Sequence, residues 1–345
     1  MLADGHVWVV VLAGGVGSRF WPLSTPERPK QLLPLASDQP LVADTVARAR
    51  ALVPDARIRV LAAEHLVRPM RAALDLPDSS YWIEPRAKGT APVLAWAAWR
   101  IARADPEAVM VSLHADHLIR PLEAFEDTVR EAVEAARRHA LVLCVGVRPD
   151  RVEVGYGHVE PGEPLGEATP DAFRVRAFHE KPDAATARRY MEAGYLWNTG
   201  IFVWKASVLL EELERHAPEI HEHVRLLDDD GRAFFEAVPN TVIDRAVMER
   251  SERAGVVRAS FAWDDVGSWE ALSRTRPADD AGNVVIGPGE AVDACGNVVY
   301  AEDGRVVLFG TRDLVVVRTA ETTLVLPRER AADLKSLLAR IGEGA

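Results

Sequence analysis

The chain has 345 residues, 48% hydrophobic and 27% charged, enough to bury a sizeable core and without the signature of disorder; its length favours a main domain plus a smaller one. Lys and Arg number 41 against 52 Asp and Glu, a net charge of −11 that argues against broad binding to nucleic acid or anionic membrane, so a polyanion must be held locally. Cys144 and Cys295 form no metal or redox spacing, the N-terminus has no basic leader, and no apolar run reaches the roughly 20 residues that span a bilayer, so a cytoplasmic protein is expected.

The run VWVVVLA predicts a first strand that leads directly into GGVGSRFWPLSTPERPK. Gly14, Gly15 and Gly17 let backbone approach a ligand. A loop stiffened by Pro22, Pro26 and Pro29 could place Arg19 and Lys30 on opposite sides of a triphosphate, an ordinary glycine turn with both as solvated surface charges being the alternative. The loop is neither a dinucleotide fingerprint, since Phe20 stands at the third glycine, nor a Walker A loop, since the Lys-Ser/Thr pair is missing.

Next, RIRVLAA, AVMVSLHA and LVLCVGV read as strands, and Leu41 to Leu52, Thr90 to Ala104 and Leu122 to His139 as helices. Their alternation predicts an α/β fold, a Rossmann-like, mostly parallel sheet covered by helices. Glu84 and Thr90 in EPRAKGTAP suit base or ribose contacts, with helix capping by Thr90 a competing reading. Asp116 ends a buried strand at the carboxyl edge where such sheets bind ligands, and a carboxylate facing phosphates suits Mg2+; a turn or cap role is the alternative. His114 and His117 lack a third ligand at a matching spacing and read as supporting residues rather than zinc ligands.

A Gly- and Pro-rich segment from Arg151 to Gly166, a strand at FRVRAFHE, a helix from Asp183 and a strand at TGIFVW elaborate the same domain and supply part of a pocket. Glu180 and Lys181 are placed to accept from hydroxyls and to contact a phosphate, a surface ion pair being the plainer alternative. Asn198 can donate and accept toward a sugar, or is a turn residue beside Trp197. Helices are expected from Ala206 and around TVIDRAVMER. Asp264 and Asp265 in FAWDDVGSWEAL end a strand, and one of them converging with Asp116 on a metal would serve phosphoryl or nucleotidyl transfer, whereas DDVGS taken alone reads as a turn. From Gly282 to Leu326 short strands alternate with Gly, Asn and Asp turns before a helix from Arg328, so the domains are expected at 1–280 and 281–345, the second suiting a few coils of β-helix.

The glycine-Arg-Trp-Pro loop ending in PKQ, then HADH, GYG, EKP, WNTGIF, IDRAVMER and DVGSW follow one another between about Val9 and Ser273. In these motifs the chain resembles the mannose-1-phosphate guanylyltransferase (GDP-mannose pyrophosphorylase) family of sugar-1-phosphate nucleotidyltransferases. The resemblance implies a nucleotide-diphospho-sugar transferase fold and transfer of GMP from GTP to mannose 1-phosphate. It implies Gly14, Gly15 and Gly17 around the nucleotide, Arg19 and Lys30 on phosphates, and Thr90 near guanine. Mg2+ would lie on Asp116 and Asp265, the latter preferred to Asp264 because it heads DVGSW; Gly157, Glu180, Lys181 and Asn198 would line the sugar-phosphate pocket.

The chain departs from the family at Lys88 and Gly89, where Arg-Asn is frequent, and at His179, where Val is usual. Another base or sugar, a non-catalytic sensor of GDP-mannose, and a nicotinamide dehydrogenase fitting the glycine loop alone are the rival readings. Only the transferase is expected, without the isomerase half of longer relatives. Homodimer formation or a cover over the pocket are the roles open to the C-terminal domain.

Overall fold

The computed structural model describes residues 5–15 and 17–342. Val16 of the glycine loop, and the outermost residues of the expected domains 1–280 and 281–345, lie outside the described residues. The strands of the larger part are β1 (Val7–Leu12), β2 (Ile58–Ala63), β3 (Tyr81–Glu84), β4 (Val109–His114), β5 (Leu118–Arg120), β6 (Val142–Val147), β7 (Gly157–Pro164), β8 (Ala172–Glu180), β9 (Leu196–Lys205), β10 (Ala254–Arg258) and β11 (Ala262–Asp264). A nine-stranded sheet orders them β3-β2-β1-β4-β9-β6-β10-β8-β7, and β7 also pairs with β9. β8 and β9 run against the other seven, so the sheet is mostly parallel.

Side-chain alternation explains why a central strand such as β1 is apolar throughout. On β1, Val9 and Val11 enter one core with Val46 of helix α1 (Leu41–Leu52), Met70 of α2 (Glu64–Ala73) and Phe125 of α4 (Leu122–His139). Val10 enters the other, with Leu94 and Trp96 of α3 (Thr90–Ala104). Both faces are covered, so neither favours charged residues.

Register then sets the functional edge. Leu12 lies opposite His114 and Leu61, and Ala63 opposite Glu84, so the carboxyl ends of β3, β2, β1 and β4 finish side by side. Away from this sheet, β5 and β11 form an antiparallel ribbon with Asp264 opposite Leu118. That pairing brings residues near 265 beside those near 116.

The C-terminal part stacks β12 (Val284–Ile286), β14 (Val298–Ala301) and β16 (Leu314–Arg318) in parallel, with β13 (Gly289–Val292) parallel to β15 (Val306–Phe309) and β17 (Thr323–Pro327) antiparallel to β16. Inside its turns, Asn297 Nδ2 donates to Asn283 Oδ1 at 2.8 Å, and Leu314 N donates to Asn297 Oδ1 at 3.0 Å. Such a side-chain ladder satisfies amides that turns leave open. This unit shares a core with the larger part: Phe20, Val266 and Trp269 pack with Val298, Tyr300, Val317 and Leu334. The Trp269 ring lies 5.0 Å from Phe20 and 5.5 Å from Tyr300.

Two elements differ from expectation. TVIDRAVMER forms only a five-residue π-helical turn, Asp244–Met248. Its leading amides have tertiary partners, Thr241 N donating to Lys88 O and Ile243 N to Thr90 Oγ1, which competes with a regular first turn. After Pro327 the chain makes a 3-10 segment, Arg328–Asp333, before the final helix Leu334–Ile341.

Because Trp269 is fully buried between the two parts, Trp269→Ala is expected to cost about 3–5 kcal/mol in urea unfolding. A loss within about 0.5 kcal/mol, the range of ordinary surface substitutions, would mean that the shared core carries little of the stability.

Candidate active site

The glycine loop follows β1 and is shaped by what packs beneath it. Gly15 and Gly17 have φ of 94° and 67°, a region open chiefly to glycine. A Cβ on Gly17 would stand 2.3 Å from the Lys30 Cβ, so this close approach also requires glycine. Gln31, buried, donates through Nε2 to Ala13 O at 2.8 Å and Gly15 O at 3.3 Å, pinning the loop from inside. Sequence reasoning missed Gln31, whose only signal was its place after the lysine in PKQ. Arg19 stays exposed, Nη1 donating to Gly267 O at 3.4 Å.

Lys30 is buried and joins the two distant aspartate segments. Its ammonium donates to Asp116 Oδ2 at 2.7 Å and to Asp265 O at 2.6 Å. Burial raises the Asp116 carboxyl, but the Lys30 ammonium outweighs it, by charge and by hydrogen bond, and holds the group well below the usual carboxylate range. Burial lowers both histidines, so they are neutral near pH 7. Trp263 Nε1 lies 3.2 Å from His117 Nδ1. An indole only donates, so Nδ1 accepts and the proton sits on Nε2, 3.9 Å from Asp116 Oδ1. His114, Asp116 and His117 present ligand atoms all within 4.8 Å of one another.

The two neighbouring aspartates have different surroundings. Asp264 is buried, with Oδ1 accepting from Val266 N at 2.7 Å and Oδ2 from Arg274 Nε at 3.1 Å. Asp265 Oδ1 accepts from Tyr156 OH at 2.6 Å, while Oδ2 has no hydrogen bond among the described residues. Burial and Asp265 raise the Tyr156 phenol, keeping it a donor. Between Asp265 and Gly267, Val266 has φ of 46°, a strained position for a β-branched residue. Its full burial in the shared core supplies the packing that holds it there.

Beside the glycine loop, a cleft of about 1100 Å³ is lined by Gly14, Gly15, Tyr81, Trp82, Glu84 and Arg100, among others. Burial pushes the Glu84 carboxyl up to about 7, the Lys88 amide pulling weakly the other way. Thr90 does not cap α3, because Gly89 occupies that position and the Thr90 hydroxyl accepts from Ile243 N at 2.9 Å. Lys88 Nζ donates to Val238 O at 2.9 Å and acts as a strut. A Cβ at Gly89 would strike Thr241 O at 2.3 Å, which accounts for glycine at this departure.

On the opposite side, Gly157 lies across from Glu180 in the β7–β8 pairing. A Cβ there would come within 2.9 Å of Glu180 Oε2 and 3.3 Å of Asn198 Cβ, so glycine opens the space these residues share. Lys181, with φ of 51°, donates to Glu180 Oε1. Asn198 accepts from Gly200 N at 3.0 Å and donates to Asp244 Oδ1 at 2.7 Å. Burial, then the charge on Glu180, pushes Asp244 up to about 6. His179 stacks on Tyr190, ring centroids 5.0 Å apart. Asp244 was missed in the sequence, although a carboxylate at a largely apolar turn in IDRAVMER was its signal.

The chain matches the family model described as Nucleotidyl transferase over residues 8–281, and one described as MannoseP isomerase/GMP-like beta-helix domain over residues 287–341. It is 35% identical over 356 residues to a mannose-1-phosphate guanylyltransferase of Escherichia coli (strain K12), covering 99% of this chain and 74% of that protein. Against the alginate biosynthesis protein AlgA of Pseudomonas aeruginosa it is 35% identical over 342 residues, covering 95% and 71%. A solved Thermus thermophilus structure, described as a mannose-1-phosphate geranyltransferase, superposes with a TM-score of 0.88 at 34% identity, covering 98% of this chain and 99% of that one.

Raised from the ordinary carboxyl range to about 7, Glu84 contributes stability that is present below its unfolded pKa and lost as pH rises through about 7. Glu84→Gln should therefore melt above the unsubstituted protein at pH 8, with the gap closing at pH 5. Equal melting differences at both pH values would show that burial does not hold this carboxyl protonated.

Proposed function

The chain belongs to the nucleotidyl transferase family, among the mannose-1-phosphate guanylyltransferases, and from that membership we propose how its residues share the work. The reaction is transfer of GMP from GTP to mannose 1-phosphate, giving GDP-mannose and pyrophosphate. A phosphate oxygen of the sugar phosphate attacks the α-phosphorus in line, the bond from that phosphorus to the β-bridging oxygen breaks, and its electron pair leaves with pyrophosphate. The nucleophile is already anionic, so neither a general base nor a covalent enzyme intermediate is required. The barrier is electrostatic, since two anions must meet while charge grows on the leaving group.

The observation that carries this reading is the buried Lys30 ammonium bonded to both the Asp116 carboxylate and the Asp265 carbonyl, beneath a left-handed glycine loop. In this assignment Gly14, Gly15 and Gly17 admit the triphosphate. Lys30 and Arg19 offset its charge, Glu84 meets the base side, and Thr90 supports the base side through Ile243. Gly157, Glu180, Lys181 and Asn198 take the sugar phosphate.

Nucleotidyl transferases generally use a divalent metal, and we assign Mg2+. Its fit rests on the donor set: Asp116 is held ionised, and Asp265 has an oxygen with no hydrogen bond among the described residues. Both are hard oxygen donors of the kind Mg2+ prefers. Held by Asp116 and Asp265, the ion would neutralise phosphate oxygens. Asp264, spent on Arg274 and Val266, supports the turn instead. No helix of the described residues is long and apolar enough to cross a membrane; from its kinship with the mannose-1-phosphate guanylyltransferases we assign the enzyme to the cytoplasm.

A matrix of nucleoside triphosphates against sugar 1-phosphates, scored by pyrophosphate release with Mg2+, is expected to peak at GTP with mannose 1-phosphate. Another base or sugar dominating the matrix would replace the specificity assigned here. Asp265→Asn should lower kcat by at least about 100-fold, the scale seen on removing one electrostatic group, with an unchanged melting temperature. Full turnover in chelator, or by Asp265→Asn, would overturn the metal assignment.

A further inference from the structure

Asp244 sits beside the sugar-phosphate side with no role in the assignments above. It opens the π-helical turn, and its Oδ1 accepts from Asn198 Nδ2 at 2.7 Å. The other end of that amide is also committed, Asn198 Oδ1 accepting from Gly200 N at 3.0 Å. The two ends of an amide are nearly alike in shape, so hydrogen-bond partners decide which way it faces. Gly200 demands the oxygen and Asp244 demands the nitrogen. The requirements agree, leaving one N–H of a residue that is only 8% exposed without a partner among the described residues.

Neither partner is free to drift. Gly200 has φ of 72°, and a Cβ there would lie 2.9 Å from the His114 ring, so its backbone is wedged against β4. On the other side, Thr241 N donates to Lys88 O at 3.0 Å, Ala91 N to Thr241 O at 3.2 Å and Ile243 N to Thr90 Oγ1 at 2.9 Å. The segment carrying Asp244 is thus anchored to the start of α3, on the base side. Near it lie Glu180, whose charge raises the Asp244 carboxyl, and Lys181, whose charge lowers it.

We propose that Asp244 is a positioning residue for the sugar-phosphate subsite, fixing the Asn198 amide so that its remaining N–H is presented to a sugar hydroxyl beside Glu180. The proposal rests on the assignment of Gly157, Glu180, Lys181 and Asn198 to that subsite. Asp244 acts through Asn198, so its removal should be felt in the binding of one substrate only. Removal of both residues should cost no more than removal of Asn198.

Steady-state kinetics with GTP and mannose 1-phosphate varied in turn, on Asp244→Ala, Asp244→Asn, Asn198→Ala and the Asp244→Ala/Asn198→Ala double variant, test this. Asp244→Ala should raise KM for mannose 1-phosphate about tenfold, the upper end for one ordinary hydrogen bond, with KM for GTP unchanged. The double variant should match Asn198→Ala alone. Asp244→Asn, which keeps an acceptor oxygen at the same reach, should stay within about threefold of the unsubstituted enzyme. Equal shifts in both KM values, a lowered melting temperature with unaltered kinetics, or multiplying effects in the double variant would each overturn the proposal. If Asp244→Ala does not fold, Asp244→Asn decides, a tenfold rise showing that charge rather than amide orientation matters. Asn198→Ala with an unchanged KM for mannose 1-phosphate would instead overturn the subsite assignment, and this proposal with it.

Discussion

A single ammonium ties the site together. Lys30 is buried between the Asp116 carboxylate at the end of the β4 segment and the main-chain oxygen of Asp265 beyond β11. Its stem lies under Gly17 so closely that no side chain fits there. The constraint acts in three directions: it shapes the glycine loop, it keeps Asp116 ionised despite burial, and it holds two segments about 150 residues apart at one point. Without that cation, two carboxylate segments in a protein of net charge −11 would repel one another at this point.

Around this point the protein uses strain and packing to aim its groups. Val266 is held in a left-handed conformation, Asp264 stitches the same turn to Arg274, and Asp265 is carried toward Lys30. The force that stabilises this comes from the C-terminal part, whose Val298, Tyr300 and Val317 pack against Val266, Trp269 and Phe20. Phe20 belongs to the glycine loop and Val266 to the aspartate turn. One core therefore seats both, and the small β-rich unit serves the site's geometry without supplying any of the residues assigned to it.

The start of α3 and the Asn198 amide are braced in a comparable way. The segment from Thr241 to Asp244 bonds the start of α3 at one end and the Asn198 amide at the other. Lys88 and Gly89, which depart from the family pattern, belong to this brace: the lysine is a strut to Val238, and the glycine makes room for Thr241. Thr90 has the same character, its hydroxyl oxygen accepting from Ile243. A short irregular segment thus connects the start of α3 with the Asn198 amide, which explains why it does not wind into the regular helix its residues favour.

Much of the frame was legible in the chain itself, because burial on both faces leaves a mark that local pattern reveals: VWVVVLA and VMVSLHA carry no Asp, Glu, Lys or Arg. Glycines at 15 and 17, Lys30 and Asp116 were legible for a related reason, since a close backbone approach or a charge at a strand end is costly unless used. What only the tertiary structure decided were matters of partnership. Nothing local distinguishes Asp264 from Asp265, gives Gln31 its grip on the glycine loop, spends the Thr90 hydroxyl on Ile243 or sets Asp244 against Asn198. Those roles arise from hydrogen bonds between residues far apart in sequence, whose energies depend on register and burial, and no periodicity along a single segment encodes them.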